Sequence, residues 1–190
     1  MSGFISFLML LLYILPTVFC GWLLYTFVRS GFGKYPPFIS SFGKMNRVML
    51  LRAEEILSAS EKPLQIIDMG SGSGKILREL AAKYPQHTFT GYEWDTCVHN
   101  LAKFLCRRYP NITLYHANFM SAELGDKDLI ITFCGNEIAP ELSDKILKEA
   151  KSGCKIISEA FRLPNLPNEN VHEAKTWGFM PIKVFTYSLS

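Results

Sequence analysis

Asp68, Gly70, Gly72 and Gly74 stand at every second position of one short stretch, Ser71 lies among them, and a further acid, Glu93, follows 21 residues after Gly72. Glycines so spaced let a backbone turn close on a ligand, and a helix starting there presents N–H groups to anything anionic. A carboxylate downstream accepts hydrogen bonds from a pair of hydroxyls. Together they point to a nucleotide-like ligand. Two common versions are excluded by counting. A dinucleotide fingerprint needs Gly-x-Gly-x-x-Gly, but the sixth position is Lys75 from Gly70 and Leu77 from Gly72. A P-loop needs Gly-Lys followed by Ser or Thr, and here Gly74-Lys75 is followed by Ile76.

The pattern around the turn supplies the elements that must hold it. Leu64 to Asp68 is a short apolar run, and after the glycines Ile76, Leu77, Leu80 and Ala81 share one helical face. Alternation then continues: strand His87 to Glu93, helix Thr96 to Tyr109, strand Ile112 to His116, strand Asp128 to Phe133, helix Glu141 to Lys151 and strand Lys155 to Phe161. Phe42 to Ser58 reads as a leading helix with Met45, Val48, Met49, Ile56 and Leu57 on its stripe and Arg52 as the polar intruder. Strands alternating with helices predict an α/β, Rossmann-like doubly wound, mostly parallel sheet with right-handed crossovers. Two last segments, Val171 to Trp177 and Pro181 to Leu189, flank Gly178 and are expected to form an antiparallel hairpin at the sheet edge. In such a sheet the glycine turn lies at the topological switch point, where ligands bind.

Asp68-x-Gly70-x-Gly72-x-Gly74 with Glu93 at the end of the second strand resembles motif I and the following acidic motif of class I S-adenosylmethionine-dependent methyltransferases. The resemblance implies S-adenosyl-L-methionine as cofactor: the turn around Gly70, Ser71, Gly72 and Gly74, with Asp68, holds the methionine end, and Glu93 accepts from both ribose hydroxyls. It further implies that Trp94 packs on the adenine ring, that Asn118, standing where the family often has an acid, accepts from the adenine amino group, and that Phe119 lies against the ring. Pro37-Pro-Phe-Ile, Gly91-Tyr-Glu, Ala139-Pro-Glu-Leu and the run from Lys151 to Pro164 resemble, in order, a membrane-anchored protein-lysine methyltransferase family whose mitochondrial members modify the adenine nucleotide translocase and the ATP synthase c subunit. After the fourth strand, Phe133-Cys-Gly-Asn-Glu replaces the Asn/Asp-Pro-Pro-Tyr/Phe of many N-methyltransferases. Asn136 and Glu137 are the expected catalytic pair, accepting hydrogen bonds from a neutral amine and aiming its lone pair, which is catalysis by orientation. An N-cap role at the next helix is their structural alternative. Methyl transfer of this kind needs no metal, and none is expected.

All of the formally charged residues follow Val28. Phe4 to Val28 gives 25 uncharged, mostly apolar residues, long enough to cross a hydrocarbon core of ~30 Å with some tilt, with Pro16 inside. No basic residue precedes the run and no small-x-small site closes it, so an uncleaved single span is expected rather than a signal peptide. Trp22 and Tyr25 suit the interfacial belt. Arg29, Lys34, Lys44, Arg47 and Arg52 against Glu54 and Glu55 form a basic collar, and from Glu61 onward 15 basic residues meet 15 acidic ones. The positive-inside rule puts the following domain in the cytoplasm, and the neutral body lacks the basic stripe of a nucleic-acid binder. Five cysteines without a Cys-x-x-Cys pair read as reduced, packed thiols, and His87, His99, His116 and His172 as structural or solvated.

The expected organisation is a transmembrane anchor over 1–30, a collar and leading helix over 31–60 and the cofactor-binding domain over 61–190. The function read from it is a membrane-anchored methyltransferase acting on a lysine amine of a membrane-associated protein. The alternatives are a membrane lipid or quinone-like acceptor, and a non-catalytic scaffold that keeps the cofactor fold.

Overall fold

The computed structural model describes residues 2–31, 44–174 and 182–190, and the chain falls into two compact units, Met1–Ile39 and Ser40–Ser190. The first holds helix α1 (Ser2–Gly31), 30 residues with Pro16 inside it. Phe4, Tyr13, Leu15 and Val18 are all more than half exposed. Among the described residues no helix is long and apolar enough to cross a membrane, so a spanning role for Phe4 to Val28 is not carried by them. The Pro37-Pro-Phe-Ile segment, Lys34 and Phe42 lie outside the described residues, as does the turn around Gly178.

The second unit is a seven-stranded sheet in the order β3-β2-β1-β4-β5-β7-β6. Its strands are β1 (Gln65–Met69), β2 (Thr88–Glu93), β3 (Ile112–His116), β4 (Leu129–Thr132), β5 (Lys155–Glu159), β6 (Asn170–Ala174) and β7 (Ile182–Ser188). The first five are parallel. β7 pairs antiparallel with β5 and β6 antiparallel with β7. The expected mostly parallel α/β fold is therefore present, with β7 inserted beside β5 and β6 at the rim.

Helices α2 (Lys44–Ser58), α3 (Lys75–Lys83), α4 (Thr96–Cys106) and α5 (Ala139–Glu149) complete the domain. α5 starts two residues before the expected Glu141, because Pro140, at the helix start, is preset for a first turn. α4 stops three residues short of Tyr109, ahead of Pro110, which cannot continue a helix. The side chain of Asp95 opens α4 by accepting from the N–H groups of Cys97 and Val98 at 2.9 and 3.0 Å. α2 lies on β5, β6, β7 and α3, where Met49, Ala53 and Leu57 are sealed against Ile66, Leu77, Leu80, Phe89, Ile131 and Ile157. Each large apolar side chain so enclosed contributes roughly 1.5–3 kcal/mol. Arg52, the intruder on that stripe, instead reaches Glu55 at 2.8 Å.

Two latches set the sheet register. Asp128, just ahead of β4, accepts from the N–H of Gln65 at 2.7 Å and pairs with Lys151 at 2.6 Å. His87 is 1% exposed; its Nδ1 accepts from the N–H of Leu64 at 3.0 Å, which leaves Nε2–H to donate to the carbonyl of Leu57 at 3.2 Å. The expected structural role of His87 is thus realised. Of the thiols, Cys106, Cys134 and Cys154 are buried, but Cys20 and Cys97 are exposed rather than packed.

Candidate cofactor and acceptor site

The glycine turn runs from the C-terminal end of β1 into α3, and three of its residues have left-handed backbone: Gly70 at φ 102°, Gly72 at 54° and Gly74 at 70°. Glycine is the residue that adopts such angles without strain. A Cβ on Gly74 would meet Cys106 Sγ at 2.7 Å, whereas a Cβ on Gly70 would meet nothing within 4 Å. The turn is therefore packed tightly behind Gly74 and open in front of Gly70.

Most of the turn's N–H groups are committed within the protein. Those of Gly70 and Ser71 both donate to the carbonyl of Tyr92, at 3.1 and 2.9 Å, and that of Gly74 donates to the carbonyl of Ser71 at 2.8 Å. The N–H of Gly72 donates to Glu93 Oε2 at 3.1 Å. The expectation that the amides of the turn hold a ligand is corrected accordingly: these four fix the turn's own shape. α3 opens at Gly74 with no side-chain cap, so the amides of its first turn are the ones disposed toward a ligand carboxylate.

Glu93 is 6% exposed and knits three elements together. Its second oxygen, Oε1, accepts from the N–H of Asp95 at 2.8 Å, at the start of α4. Backbone N–H groups of Gly72, Asp95 and Trp94 all act on this carboxylate, whose two oxygens are acceptors of the kind a ribose diol requires. Burial raises the Glu93 pKa, while the N–H donors of Asp95 and Gly72 work against that rise. Asp68 is 4% exposed, and burial, with Glu159 and then Glu93 adding repulsion, pushes its carboxyl up to about 7.

Glu159 was not singled out from the sequence. Register places it: Asp68 aligns with Ile131 and Ile131 with Ile157, so Glu159, two residues further along β5, faces the same side of the sheet as Asp68. It is fully buried. A lone acid at a strand end carries no sequence signal; only the β1-β4-β5 adjacency reveals it.

Trp94 is half-buried beside Glu93, its carbonyl within 3.0 Å of His116 Nε2. Asn118 caps the short 3-10 turn Phe119–Ser121, its side-chain oxygen accepting from the N–H of Met120 at 2.9 Å. That is the turn-forming role for an asparagine, and it occupies one of the two lone pairs expected to serve an adenine. Phe119 is buried, 8% exposed. Asn136 and Glu137 lie exposed on the turn that follows β4. Neither caps α5, whose N-cap is Ile138. Between them and the sheet, burial lifts the Cys134 thiol to about 11, which keeps it protonated and unsuited to nucleophilic catalysis.

Residues 68–170, more than half of the chain, match the ANTKMT methyltransferase domain. The chain belongs to the ANTKMT methyltransferase family. It is an S-adenosylmethionine-dependent methyltransferase, with S-adenosylmethionine as its cofactor. The residues present fit that group: an open face at Gly70, and the buried carboxyls of Glu93 and Asp68 at the ends of the two strands that flank the turn. Solved structures share the fold. An RNA methyltransferase from Salinibacter ruber in complex with S-adenosyl-L-homocysteine aligns at TM-score 0.66 and 14% identity, over 80% of this chain and 94% of the other. An O-methyltransferase from Thermotoga maritima aligns at 0.63 and 14%, over 80% and 68%. The human methyltransferase 10 domain containing protein aligns at 0.59 and 14%, over 80% and 86%. No curated protein matches by sequence.

Proposed function

We propose that this methyltransferase acts on a lysine amine of a membrane-associated protein, tethered to the bilayer through α1 with its catalytic domain on the cytoplasmic side. The observation that carries the amine reading is the set of buried carboxyls, Glu93, Asp68 and Glu159, on one face at the C-terminal ends of β2, β1 and β5. A site so supplied with carboxyls favours a cationic acceptor over a phosphate or carboxylate. Family membership supports lysine in particular.

The parts divide as follows. Glu93 with Asp68 holds the cofactor, the αL glycines admit it, and Trp94, Asn118 and Phe119 border its adenine. When bound, S-adenosylmethionine supplies an electrophilic methyl carbon on sulfur. Asn136 and Glu137, exposed at the end of β4, border the approach of the acceptor and orient its nitrogen, a contribution of proximity and alignment. Tethering through the uncharged stretch before Arg29 confines the domain to the membrane surface and raises the effective concentration of membrane-associated acceptors.

The test uses the full chain in detergent with methyl-labelled S-adenosylmethionine and isolated membrane fractions. Label recovered as methyl-lysine after acid hydrolysis of a protein band is the expected result. Label recovered in the lipid extract would overturn the lysine reading, and label appearing equally in soluble and membrane fractions would overturn the tether.

A further inference from the structure

Beyond the cofactor pocket, the C-terminal ends of β4 and β5 carry a pair of rings that no role yet assigned here uses. Phe133, one residue past β4, and Phe161, two past β5, stand with centroids 5.5 Å apart and planes inclined at 46°. Both are half-buried, so part of each ring faces outward. Two inclined rings make a corner, and ring faces carry the negative part of the aromatic quadrupole.

The chain fixes this corner by unusual means. Between Glu159 and Phe161 it reverses at Ala160, a non-glycine residue at φ 63°. Three bonds hold the reversal: the N–H of Phe161 to the carbonyl of Glu159 at 2.8 Å, the N–H of Ala160 to the carbonyl of Lys183 on β7 at 2.8 Å, and Ser158 Oγ to the carbonyl of Phe161 at 2.7 Å. A left-handed alanine costs on the order of 1 kcal/mol and persists where its surroundings determine it. The reversal turns the chain back after β5 and sets Phe161 against Phe133. Asp68 and Glu159, toward the ends of β1 and β5, are buried on one face of the sheet. Two half-buried rings inclined to one another form a corner complementary to a cation.

We propose that Phe133 and Phe161 form the seat that recognises the acceptor's nitrogen in its ammonium form, held by cation–π attraction, before its proton passes to water and the freed lone pair takes the methyl group. This rests on the amine reading above and deepens it, by assigning recognition of the acceptor to the two rings rather than to the exposed Asn136 and Glu137. A ring corner selects for positive charge and for a slender alkyl stem. It also asks for no N–H donor from its guest.

Choline and its neutral isostere 3,3-dimethyl-1-butanol serve as probes. They are titrated into the full chain in detergent with S-adenosylhomocysteine present, and the ring signals of phenylalanine-labelled protein are followed by NMR. Phe133→Leu and Phe161→Leu identify the two sets of signals. Choline is expected to shift both rings, with the isostere roughly 3- to 30-fold weaker, the range a cation–π contact spans. Phe161→Leu is expected to abolish that preference and Phe161→Tyr to keep it, with S-adenosylhomocysteine affinity by calorimetry unchanged in both. Equal shifts from the two probes, or none from either, would overturn the seat, as would loss of the preference in Phe161→Tyr with cofactor affinity intact. A failed seat is read from ring shifts and a failed lysine assignment from where label is recovered, so the two failures are distinguishable.

Discussion

The two sides of the site are built on different principles. On the β1–β2 side the cofactor turn is tied down by backbone: Tyr92 accepts twice from it, Glu93 binds both the turn and the start of α4, and Gly91 lets Leu77, Leu114 and Ser71 close in. On the β4–β5 side, side chains and one strained reversal at Ala160 set the geometry, and Asn136 and Glu137 stand exposed. The difference teaches that the glycine turn stands in a rigid backbone frame, while the β4–β5 side rests on side chains and a single reversal.

That contrast is sharpest under substitution. Gly91→Val should have the largest effect, because its Cβ alone would stand 2.7 Å from Leu114 Cδ2 and Leu77 Cδ1 and 2.8 Å from Ser71 Oγ. Overpacking of this kind costs about 3 kcal/mol, read as a fall in Tm together with lost cofactor binding; an unchanged melt would show the β2–α3 contact to be slack. Glu93→Ala comes next. It strands the N–H donors of Gly72, Asp95 and Trp94 and removes the acceptor proposed for the ribose diol, so S-adenosylmethionine affinity by calorimetry should fall about 100-fold, or roughly 2.7 kcal/mol. Near-native affinity in that variant would break the comparison outright.

Asp68 provides a pH test with a definite sign. Its folded pKa of about 7 lies above the ordinary value of 3.8, so the folded state holds the extra proton across that window. The stability it contributes is complete below the ordinary value and is lost as pH rises through about 7. The cofactor-free protein should therefore be more stable at pH 5.5 than at 7.5, by about 2 kcal/mol from this group, and Asp68→Asn should remove that increment. A pH dependence identical in wild type and Asp68→Asn would refute the assignment. Asn118→Ala, losing the cap of the 3-10 turn, should cost about 1 kcal/mol. Asn136→Ala and Glu137→Ala should leave stability within about 0.5 kcal/mol and cofactor affinity unchanged while slowing turnover; a loss of cofactor binding in either would place them on the wrong side of the comparison.

The same division governs what could be read from the chain before its fold. The alternation of apolar runs announced the parallel sheet, and Asp68, the glycines and Glu93 announced the tight turn between β1 and α3, because left-handed backbone and a strand-end acid leave marks in residue type. Asn118 offers an adenine acceptor or a turn-former from its residue type alone, and its side chain caps a 3-10 turn. Glu159, Ala160 and the Phe133–Phe161 corner were illegible: their meaning comes from β1, β4 and β5 lying side by side, which is a tertiary fact. The insertion of β7 between β5 and β6 was equally hidden, since either strand of a hairpin satisfies the same pattern.

The strand order also has a bearing on how the chain reaches this state. β1, β2 and β3 are successive in sequence and neighbours in space, whereas β1 joins β4 through Gln65 and Asp128, 63 residues apart. Loop closure over that span must precede its reward, so nonlocal pairing is slow. This order of loops predicts that the β1–β3 segment assembles first and that β4, β5 and β7 dock later along β1. Asp68 aligns with Ile131 across that seam, so its surroundings are expected to be complete only at the docking step. A ligand that binds the docked form alone lowers the population of half-assembled chains by mass action, so S-adenosylmethionine is expected to raise the melting temperature of this domain.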